Sequence, residues 1–264
     1  MASYDKKRMP IWIRIIVSLF FSLLAIAVLY VGIQLMDLTK VYRASEGVTE
    51  FPVLDEVSVT EIQDGWDVRK GALLAPDGWY FDGPGEDKAF VFYPGKCVDA
   101  AAYQPLMHSL AENGIDCFLI KPLISFPPLY KDVAAYIMDA YADTYTTWYV
   151  GGHDQGGETA AAFASEHLTE LGGLVLLGAY PTTSLRYGAF RVLSIYGTKD
   201  TVIDVEKFVA GREYMPGNYR EVPIEGGNHS YFGIYGLEEG DDPGTITNAD
   251  QQQKTLTEIL GFMQ

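Results

Sequence analysis

The sequence predicts an α/β domain, in which a mostly parallel β-sheet carries helices on both faces, preceded by one transmembrane helix. Three observations lead to this prediction. From residue 88 onward, short apolar runs alternate with amphipathic segments, the pattern of strand–helix–strand units. The runs contain few polar residues, as expected for parallel strands buried on both faces. A glycine-rich turn also joins one apolar run directly to a helical segment.

The individual elements follow from local signals. Apolar residues recur with helical spacing at Tyr103, Leu106 and Leu110, and Asn113-Gly114 ends that helix. By the same criteria the predicted strands are 88–93, 115–120, 146–150, 174–179, 191–196 and 219–224, and the predicted helices are 99–113, 127–142, 157–168, 205–214 and 249–263.

The stretch that precedes these units has a different character. Residues 56–82 contain short β-prone segments and two Asp-Gly pairs, at Asp64-Gly65 and Asp77-Gly78. Asp-Gly is a common turn sequence between antiparallel strands. We therefore expect antiparallel hairpins here, with turns at the two Asp-Gly pairs.

The N-terminal region predicts a membrane anchor. Residues 15–36 carry no charge and are long enough to span a bilayer core of about 30 Å as a helix. Basic side chains at 6, 7, 8 and 14 precede this run and favour a cytoplasmic N-terminus by the positive-inside rule. The expected organisation is a cytoplasmic tail (1–14), a transmembrane signal anchor (15–36), a juxtamembrane linker (37–54) and an extracytoplasmic domain (55–264). A cleaved signal peptide is the alternative interpretation.

Charge and cysteine content exclude some classes of partner. The whole chain has a net charge of −16, and residues 1–36 contribute +3, so residues 37–264 carry −19. A domain this acidic is a poor candidate for binding nucleic acid or anionic lipid surfaces. The expected partners are the lipid bilayer, through the N-terminal helix, and a small-molecule substrate. Cys97 and Cys117 permit either one disulfide or two buried thiols. The sequence contains no metal-binding cysteine or histidine cluster, so we expect neither metal nor cofactor.

The glycine-rich turn lies at residues 149–162 and contains Gly152, His153, Asp154, Gln155 and Gly156. This is the G-x-S-x-G spacing of a nucleophile elbow, with aspartate in the position of serine. In such a turn the central residue adopts a strained backbone conformation that projects its side chain beyond the sheet, and flanking side chains would clash. The pattern predicts Asp154 as the nucleophile and His153 as a structural neighbour.

Two further polar residues follow predicted strands. Asp200 comes after the strand 191–196, and His229 comes after the strand 219–224. Functional residues of parallel α/β sheets gather at the carboxyl ends of the strands. We therefore predict that Asp154, Asp200 and His229 lie together, with Asp204 as an alternative acid.

From residue 89 onward, about two-thirds of the chain resembles the α/β-hydrolase superfamily, specifically its compact, capless, bacterial esterase-like members. The matching segments are FYPGKCVDAAAYQPL, YVGGHDQGGETAAAFA, IYGTKD and GGNHSYFGIYG. The resemblance implies an α/β-hydrolase fold, a nucleophile–acid–histidine triad, and an oxyanion hole made by the backbone N–H groups of Lys96 and Gln155.

One feature departs from the esterase-like pattern. The elbow G-H-D-x-G resembles epoxide hydrolases and dehalogenases, which use aspartate as the nucleophile. Those enzymes carry a helical cap after the strand that follows the elbow helix, whereas only residues 181–190 occupy that interval here. The residues that grip an epoxide oxygen or a halide in a cap therefore have no counterpart.

The sequence leaves two functional hypotheses open. In the first, the protein hydrolyses a small ester-like or other electrophilic substrate. Asp154 attacks the substrate, and His229, oriented by Asp200, activates water against the covalent intermediate. In the second, aspartate replaced serine and left a disarmed binding or scaffolding domain. Candidate substrate-contacting residues are Tyr103, Lys121 and Tyr231.

Overall fold

The computed structural model describes residues 10–37, 41–50, 56–63, 76–124 and 126–264. The chain divides into two compact units, Met1–Lys40 and Val41–Gln264. Residues 41–50, which belong to the predicted linker, pack within the second unit.

The first unit contains helix α1, Ile11–Asp37. Its stretch Ile11–Tyr30 is long and apolar enough to cross a membrane, and none of it is buried within the protein. Large apolar side chains such as Trp12, Phe20 and Leu24 are exposed. At 1.5 Å per residue, 20 residues span about 30 Å, the thickness of a bilayer core.

The second unit is built on one eight-stranded sheet. Its strands are β1 (Ser58–Ile62), β2 (Asp77–Asp82), β3 (Lys88–Tyr93), β4 (Asp116–Lys121), β5 (Thr147–His153), β6 (Leu171–Leu177), β7 (Val192–Gly197) and β8 (Arg220–Ile224). Their order across the sheet is β1-β2-β4-β3-β5-β6-β7-β8. All neighbouring pairs from β4 to β8 are parallel, whereas β2 is antiparallel to both β1 and β4. The predicted α/β class with a mostly parallel sheet is confirmed.

The antiparallel segment differs in one detail from the prediction. Asp77 and Gly78 are the first residues of β2, so the turn predicted at this pair is wrong. Gly78 pairs with Ile62 on β1 and with Ile120 on β4. Strand neighbours on both sides satisfy the backbone here, and this pairing overrides the turn preference of Asp-Gly. The other pair, Asp64-Gly65, lies outside the described residues.

Five further helices cover the sheet: α2 (Gln104–Glu112), α3 (Val133–Ala140), α4 (Gln155–Glu166), α5 (Val205–Gly211) and α6 (Asn248–Met263). The predicted helices at 99–113 and 127–142 begin as short 3₁₀ turns, Ala100–Tyr103 and Pro127–Tyr130. Helix α6 starts with a reciprocal capping box between Thr247 and Asp250, which satisfies two otherwise free N-terminal N–H groups.

Apolar layers fill both faces of the sheet. On β3, Phe90 and Phe92 point into the layer beneath α2 and α6, whereas Val91 and Tyr93 point into the layer beneath α3 and α4. All four side chains are essentially inaccessible. This burial on both faces explains why the strand is almost continuously apolar, and it fixes the ends of the strands rigidly where polar side chains emerge.

Both cysteines are buried thiols, and no disulfide joins them. Cys117 lies in the apolar layer beneath α2 and α6, and burial raises the pKa of its thiol well above the ordinary value. Of the two alternatives that the sequence leaves open, the fold therefore contains two buried thiols rather than a disulfide.

Candidate active site

Asp154 occupies the sharp turn between β5 and α4. Its backbone has φ 50° and ψ −129°, a conformation that non-glycine residues rarely adopt. The turn is held from both sides, because the Asp154 N–H donates to the Leu177 carbonyl at 3.1 Å and the Asp154 carbonyl accepts from the Glu158 N–H at 3.1 Å. Surrounding structure therefore maintains the strained conformation that the elbow pattern predicts.

The two glycines of the motif are required by close backbone approach. A Cβ at Gly152 would lie 2.5 Å from the Tyr93 carbonyl oxygen. A Cβ at Gly156 would lie 2.2 Å from the carbonyl oxygen of Pro94. The end of β3 thus lies directly against the elbow, and this close backbone contact brings the following loop to Asp154.

That loop, residues 94–99, is called the oxyanion loop below. The Lys96 N–H donates to Oδ2 of Asp154 at 3.3 Å. The next residue, Cys97, has φ 60°, so this backbone also adopts a left-handed conformation. The loop therefore places a backbone donor against the carboxylate, at the position the resemblance implies for Lys96.

Gln155, the second implied oxyanion donor, is the first residue of α4. A backbone N–H in the first turn of a helix has no intrahelical acceptor, and the helix dipole favours negative charge there. Its side-chain Oε1 is buried and has no partner among the described residues. The role of the Gln155 N–H as a donor stays a prediction.

His229 and Asp200 form a buried pair. Nδ1 of His229 lies 2.8 Å from Oδ2 of Asp200, and both side chains are only 1% exposed. The other carboxylate oxygen of Asp200 accepts from the N–H groups of Val202 and Ile203, at 3.0 and 2.8 Å, which fixes its orientation. In the tautomer that donates to Asp200, Nε2 is the remaining nitrogen; it is buried and has no partner among the described residues.

The alternative acid, Asp204, is engaged elsewhere. Its side chain caps α5 by accepting from the Lys207 N–H at 3.1 Å, and it also pairs with the Lys207 ammonium group at 3.1 Å. Asp200, rather than Asp204, is therefore the partner of the histidine.

The electrostatic environment of His229 favours its charged form. Burial by itself would lower the pKa of His229. The hydrogen bond to Asp200 and its charge, with the nearby charges of Asp154 and Glu238, outweigh burial and raise the pKa to about 9. At neutral pH the imidazole is therefore protonated.

Asp241 supports this pair and was not predicted from the sequence. Its Oδ2 accepts from the backbone N–H and hydroxyl of Ser230, at 2.8 and 2.7 Å, directly after His229. Its Oδ1 faces the Thr201 N–H at 3.4 Å, directly after Asp200. Asp241 thus joins the two loops that carry the pair. It lies in an acidic stretch, GLEEGDD, where no local signal separates it from its solvated neighbours.

His153 and Tyr103 form the support beneath the elbow. His153 is fully buried, its Nδ1 lies 2.8 Å from the Tyr103 hydroxyl, and its ring is 4.4 Å from that of His229. Burial and the charge of His229 lower the pKa of His153 well below its usual value. The Tyr103 hydroxyl also accepts from the Gly95 N–H at 3.2 Å. Tyr103 is completely inaccessible, so the predicted substrate contact is corrected to a supporting role.

The other two predicted substrate-contacting residues have different surroundings. Lys121, at the end of β4, pairs with Glu61 at 3.0 Å and lies over the ring of Trp79. Tyr231 is half-buried, with its ring next to Gly244. Substrate contact stays a prediction for both.

A cavity of 170 Å³ adjoins the elbow helix. It is lined by residues on α4 and by residues of neighbouring loops: Pro128, Lys131, Gln155, Glu158, Thr159, Ala162 and Thr182. A larger cavity of 240 Å³ between α2 and α6 is lined by none of the catalytic candidates. The smaller cavity is lined by Gln155 but by none of Asp154, Asp200 and His229. Within the described ranges, no group of three or more His, Cys, Asp or Glu side chains is placed to hold a metal ion.

Comparison with known proteins adds one finding. The model of the alpha/beta hydrolase family matches residues 89–253, well over half of the chain. The matched range includes the oxyanion loop, the elbow and the Asp200–His229 pair. No curated protein matches the chain.

The close approach at Gly156 predicts a strong effect of one added methyl group. We expect Gly156→Ala to lower the free energy of unfolding by about 3 kcal/mol, because the Cβ would meet the backbone of Pro94 and Tyr93. Gly261→Ala on α6 is the matched control, since a Cβ there has nothing within 4 Å. Chemical denaturation of both variants measures the difference, and equal stabilities would contradict the close backbone contact at Gly156.

The position of Asp154 next to His229 predicts a coupled titration. Asp154→Asn removes a negative charge and should lower the pKa of His229 from about 9, as followed by NMR of its imidazole protons. Since the folded pKa is raised, this imidazolium stabilises the fold fully below the unfolded pKa of about 6.5, and that stability is lost as the pH rises through about 9. Asp204→Asn is the control and should leave the titration unchanged.

Proposed function

Because this chain belongs to the alpha/beta hydrolase family, we propose that it is a membrane-anchored hydrolase that uses Asp154 as its nucleophile. The observation that carries the proposal is the hydrogen bond from the Lys96 N–H to the Asp154 carboxylate, at 3.3 Å. This bond supports a role for the Lys96 N–H as an oxyanion donor to Asp154. His229, oriented by Asp200, supplies the base.

The first step requires no base, because a carboxylate is already ionised at neutral pH. One oxygen of Asp154 attacks an electrophilic carbon and forms an ester bond to it. The bond from that carbon to the leaving group breaks, and the leaving group departs with the electron pair. The imidazolium of His229, or solvent, can supply a proton to the leaving group.

The substrate class follows from the same hydrogen bond. An ester substrate would need a free oxyanion donor for its own carbonyl oxygen, and attack by aspartate would give a reactive mixed anhydride. A saturated carbon with a leaving group, as in an epoxide or a haloalkanoic acid, develops no oxyanion on the attacked carbon. An alkyl electrophile therefore suits this site better than a carboxylic ester.

The second step hydrolyses the aspartyl ester. Esterification removes the charge of Asp154, one of the charges that raise the pKa of His229. The pKa of His229 then falls, and the neutral imidazole can accept a proton from water as the resulting hydroxide attacks Cγ of Asp154. Negative charge develops on the oxygen that faces the Lys96 N–H. Collapse of this intermediate expels the alkoxide, which takes the proton from His229 and leaves as the alcohol. The carboxylic acid that remains at Asp154 then gives its proton to His229, which restores the carboxylate and the imidazolium.

The proposed setting is a membrane surface. Helix α1 would serve as a signal anchor, with residues 1–14 in the cytoplasm, a linker at 37–54 and the hydrolase domain at 55–264 outside. The length and apolar character of α1 and the basic residues that precede it support this arrangement. An intact mass of membrane-extracted protein that retains residues 1–36 would support the anchor, whereas a mass lacking them would indicate a cleaved signal peptide.

The catalytic proposal predicts an isotope label on Asp154. Full-length protein in detergent micelles is incubated in oxygen-18 water with short acyl esters, a terminal four-carbon epoxide and haloalkanoic acids. Water attacks Cγ of Asp154 in the second step, so the Asp154 peptide should gain oxygen-18 after one turnover with an alkyl electrophile. In the His229→Gln variant the alkyl-enzyme should accumulate without label, because hydrolysis lacks its base.

Other outcomes count against the proposal. Turnover without label in Asp154 would mean that water attacks the substrate directly. If no compound alkylates the wild type and Asp154→Ser gains esterase activity, the natural protein is a disarmed hydrolase that serves as a binding domain. Asp154→Asn, which retains size but lacks the charge, is the control for non-specific alkylation.

A further inference from the structure

The segment 41–50, called the N-terminal strap below, pairs with the oxyanion loop. The Tyr42 N–H donates to the Cys97 carbonyl at 2.7 Å, and the Asp99 N–H donates to the Tyr42 carbonyl at 2.9 Å. Together these bonds form an isolated parallel bridge between Tyr42 and Val98. The strap follows the apolar helix α1 in the sequence, yet its backbone is bonded to the loop that carries the Lys96 donor.

The pairing acts on the part of the loop that needs support. Cys97 has φ 60°, a strained backbone conformation that a non-glycine residue keeps only when its surroundings hold it. The Tyr42 N–H binds the carbonyl of this same residue. Since Lys96 immediately precedes Cys97, the direction of the Lys96 N–H depends on this backbone conformation.

The side chain of Tyr42 reaches a second catalytic segment, residues 229–241, called the histidine loop. The Glu239 N–H donates to the Tyr42 hydroxyl at 3.1 Å, and the ring of Tyr42 lies 5.9 Å from that of Tyr235. Farther along the strap, the Ser45 N–H donates to the Ile234 carbonyl at 2.9 Å. The strap is therefore bonded to both loops, one carrying the oxyanion donor and the other carrying His229.

We propose that Tyr42 is a positioning residue for the catalytic centre, which it serves by fixing the oxyanion loop and the histidine loop relative to each other. This inference rests on the proposed function, since it concerns the same aspartyl-ester chemistry. It makes the chain that follows the apolar helix a working part of the site rather than a passive linker.

The proposal distinguishes the two chemical steps. Alkylation of Asp154 develops no negative charge on the carboxylate oxygen that faces the Lys96 N–H, so it depends little on the Lys96 donor. Hydrolysis of the aspartyl ester develops negative charge on the oxygen that faces this donor. Loosening the strap should therefore slow hydrolysis much more than alkylation. A general loss of folding would impair both steps.

The experiment compares three variants of the full-length protein in detergent micelles. Tyr42→Pro removes the N–H that binds the Cys97 carbonyl. Val41→Pro is the matched control, because it places the same ring one residue earlier. The side chain of Val41 is half-exposed, and its backbone N–H makes none of the bonds described above. Tyr42→Phe removes only the hydroxyl that accepts from the Glu239 N–H.

With the terminal four-carbon epoxide as probe, rapid-quench mass spectrometry measures the two steps separately. Tyr42→Pro should hydrolyse the alkyl-enzyme about tenfold to a hundredfold more slowly than Val41→Pro, with alkylation changed by no more than about twofold. Equal hydrolysis rates in the two proline variants would overturn the proposal. So would an equal slowing of both steps, since that indicates a merely structural role.

Amide hydrogen exchange provides a readout that does not require turnover. The Asp99 amide should exchange about tenfold faster in Tyr42→Pro, because the carbonyl that accepts from it is then less firmly held. The Glu239 amide should exchange about tenfold faster in Tyr42→Phe, because the hydroxyl that accepts from it is removed. Unchanged exchange at both amides would overturn the proposal even if activity changed. If the wild type forms no alkyl-enzyme, the proposed function fails, and the exchange rates still decide whether the strap holds the two loops.

Discussion

The strained turn at Asp154 is the constraint on which the rest of the site depends. Its positive φ is maintained because β5 ends against the backbone of β3, at a separation that leaves no space for side chains at Gly152 and Gly156. The same close contact brings the oxyanion loop within hydrogen-bonding distance of the Asp154 carboxylate. A rigid, doubly buried sheet is what makes such close backbone contact sustainable, since neither strand can move away.

Electrostatics give the site a cycle of charge. In the resting state a protonated His229 faces Asp200, with Asp154 and Glu238 contributing further negative charge. Loss of the Asp154 charge on alkylation would lower the pKa of the histidine when a base is needed. Restoration of the carboxylate would raise it again. In the proposed mechanism one histidine would serve first as an ion-pair partner and then as a base, because Asp154 carries one of the charges that raise its pKa.

Supports from distant parts of the chain hold the catalytic loops. Asp241 joins the Asp200 and His229 loops through buried hydrogen bonds, and Tyr42 joins the histidine loop to the oxyanion loop. The chain between β6 and β7 is only residues 178–191. Its Leu185 is fully buried, and its backbone N–H binds the Tyr214 carbonyl at 2.8 Å. This segment packs onto the body of the domain. The positions of Asp154, Asp200 and His229 therefore depend on the contacts between loops described above.

The sequence by itself determined the fold class and the chemical identity of the central residues. Continuous apolar runs specify buried parallel strands. The glycines spaced around Asp154 specify a turn in which the neighbouring backbone leaves no space for side chains. The tertiary structure alone decided which residues cooperate with them. It selected Asp200 over Asp204, placed Tyr103 beneath the oxyanion loop, paired Gly78 within a strand instead of a turn, and brought Tyr42 and Asp241 to the site. These outcomes depend on contacts between residues far apart in the chain, and local propensity and spacing carry no information about such contacts.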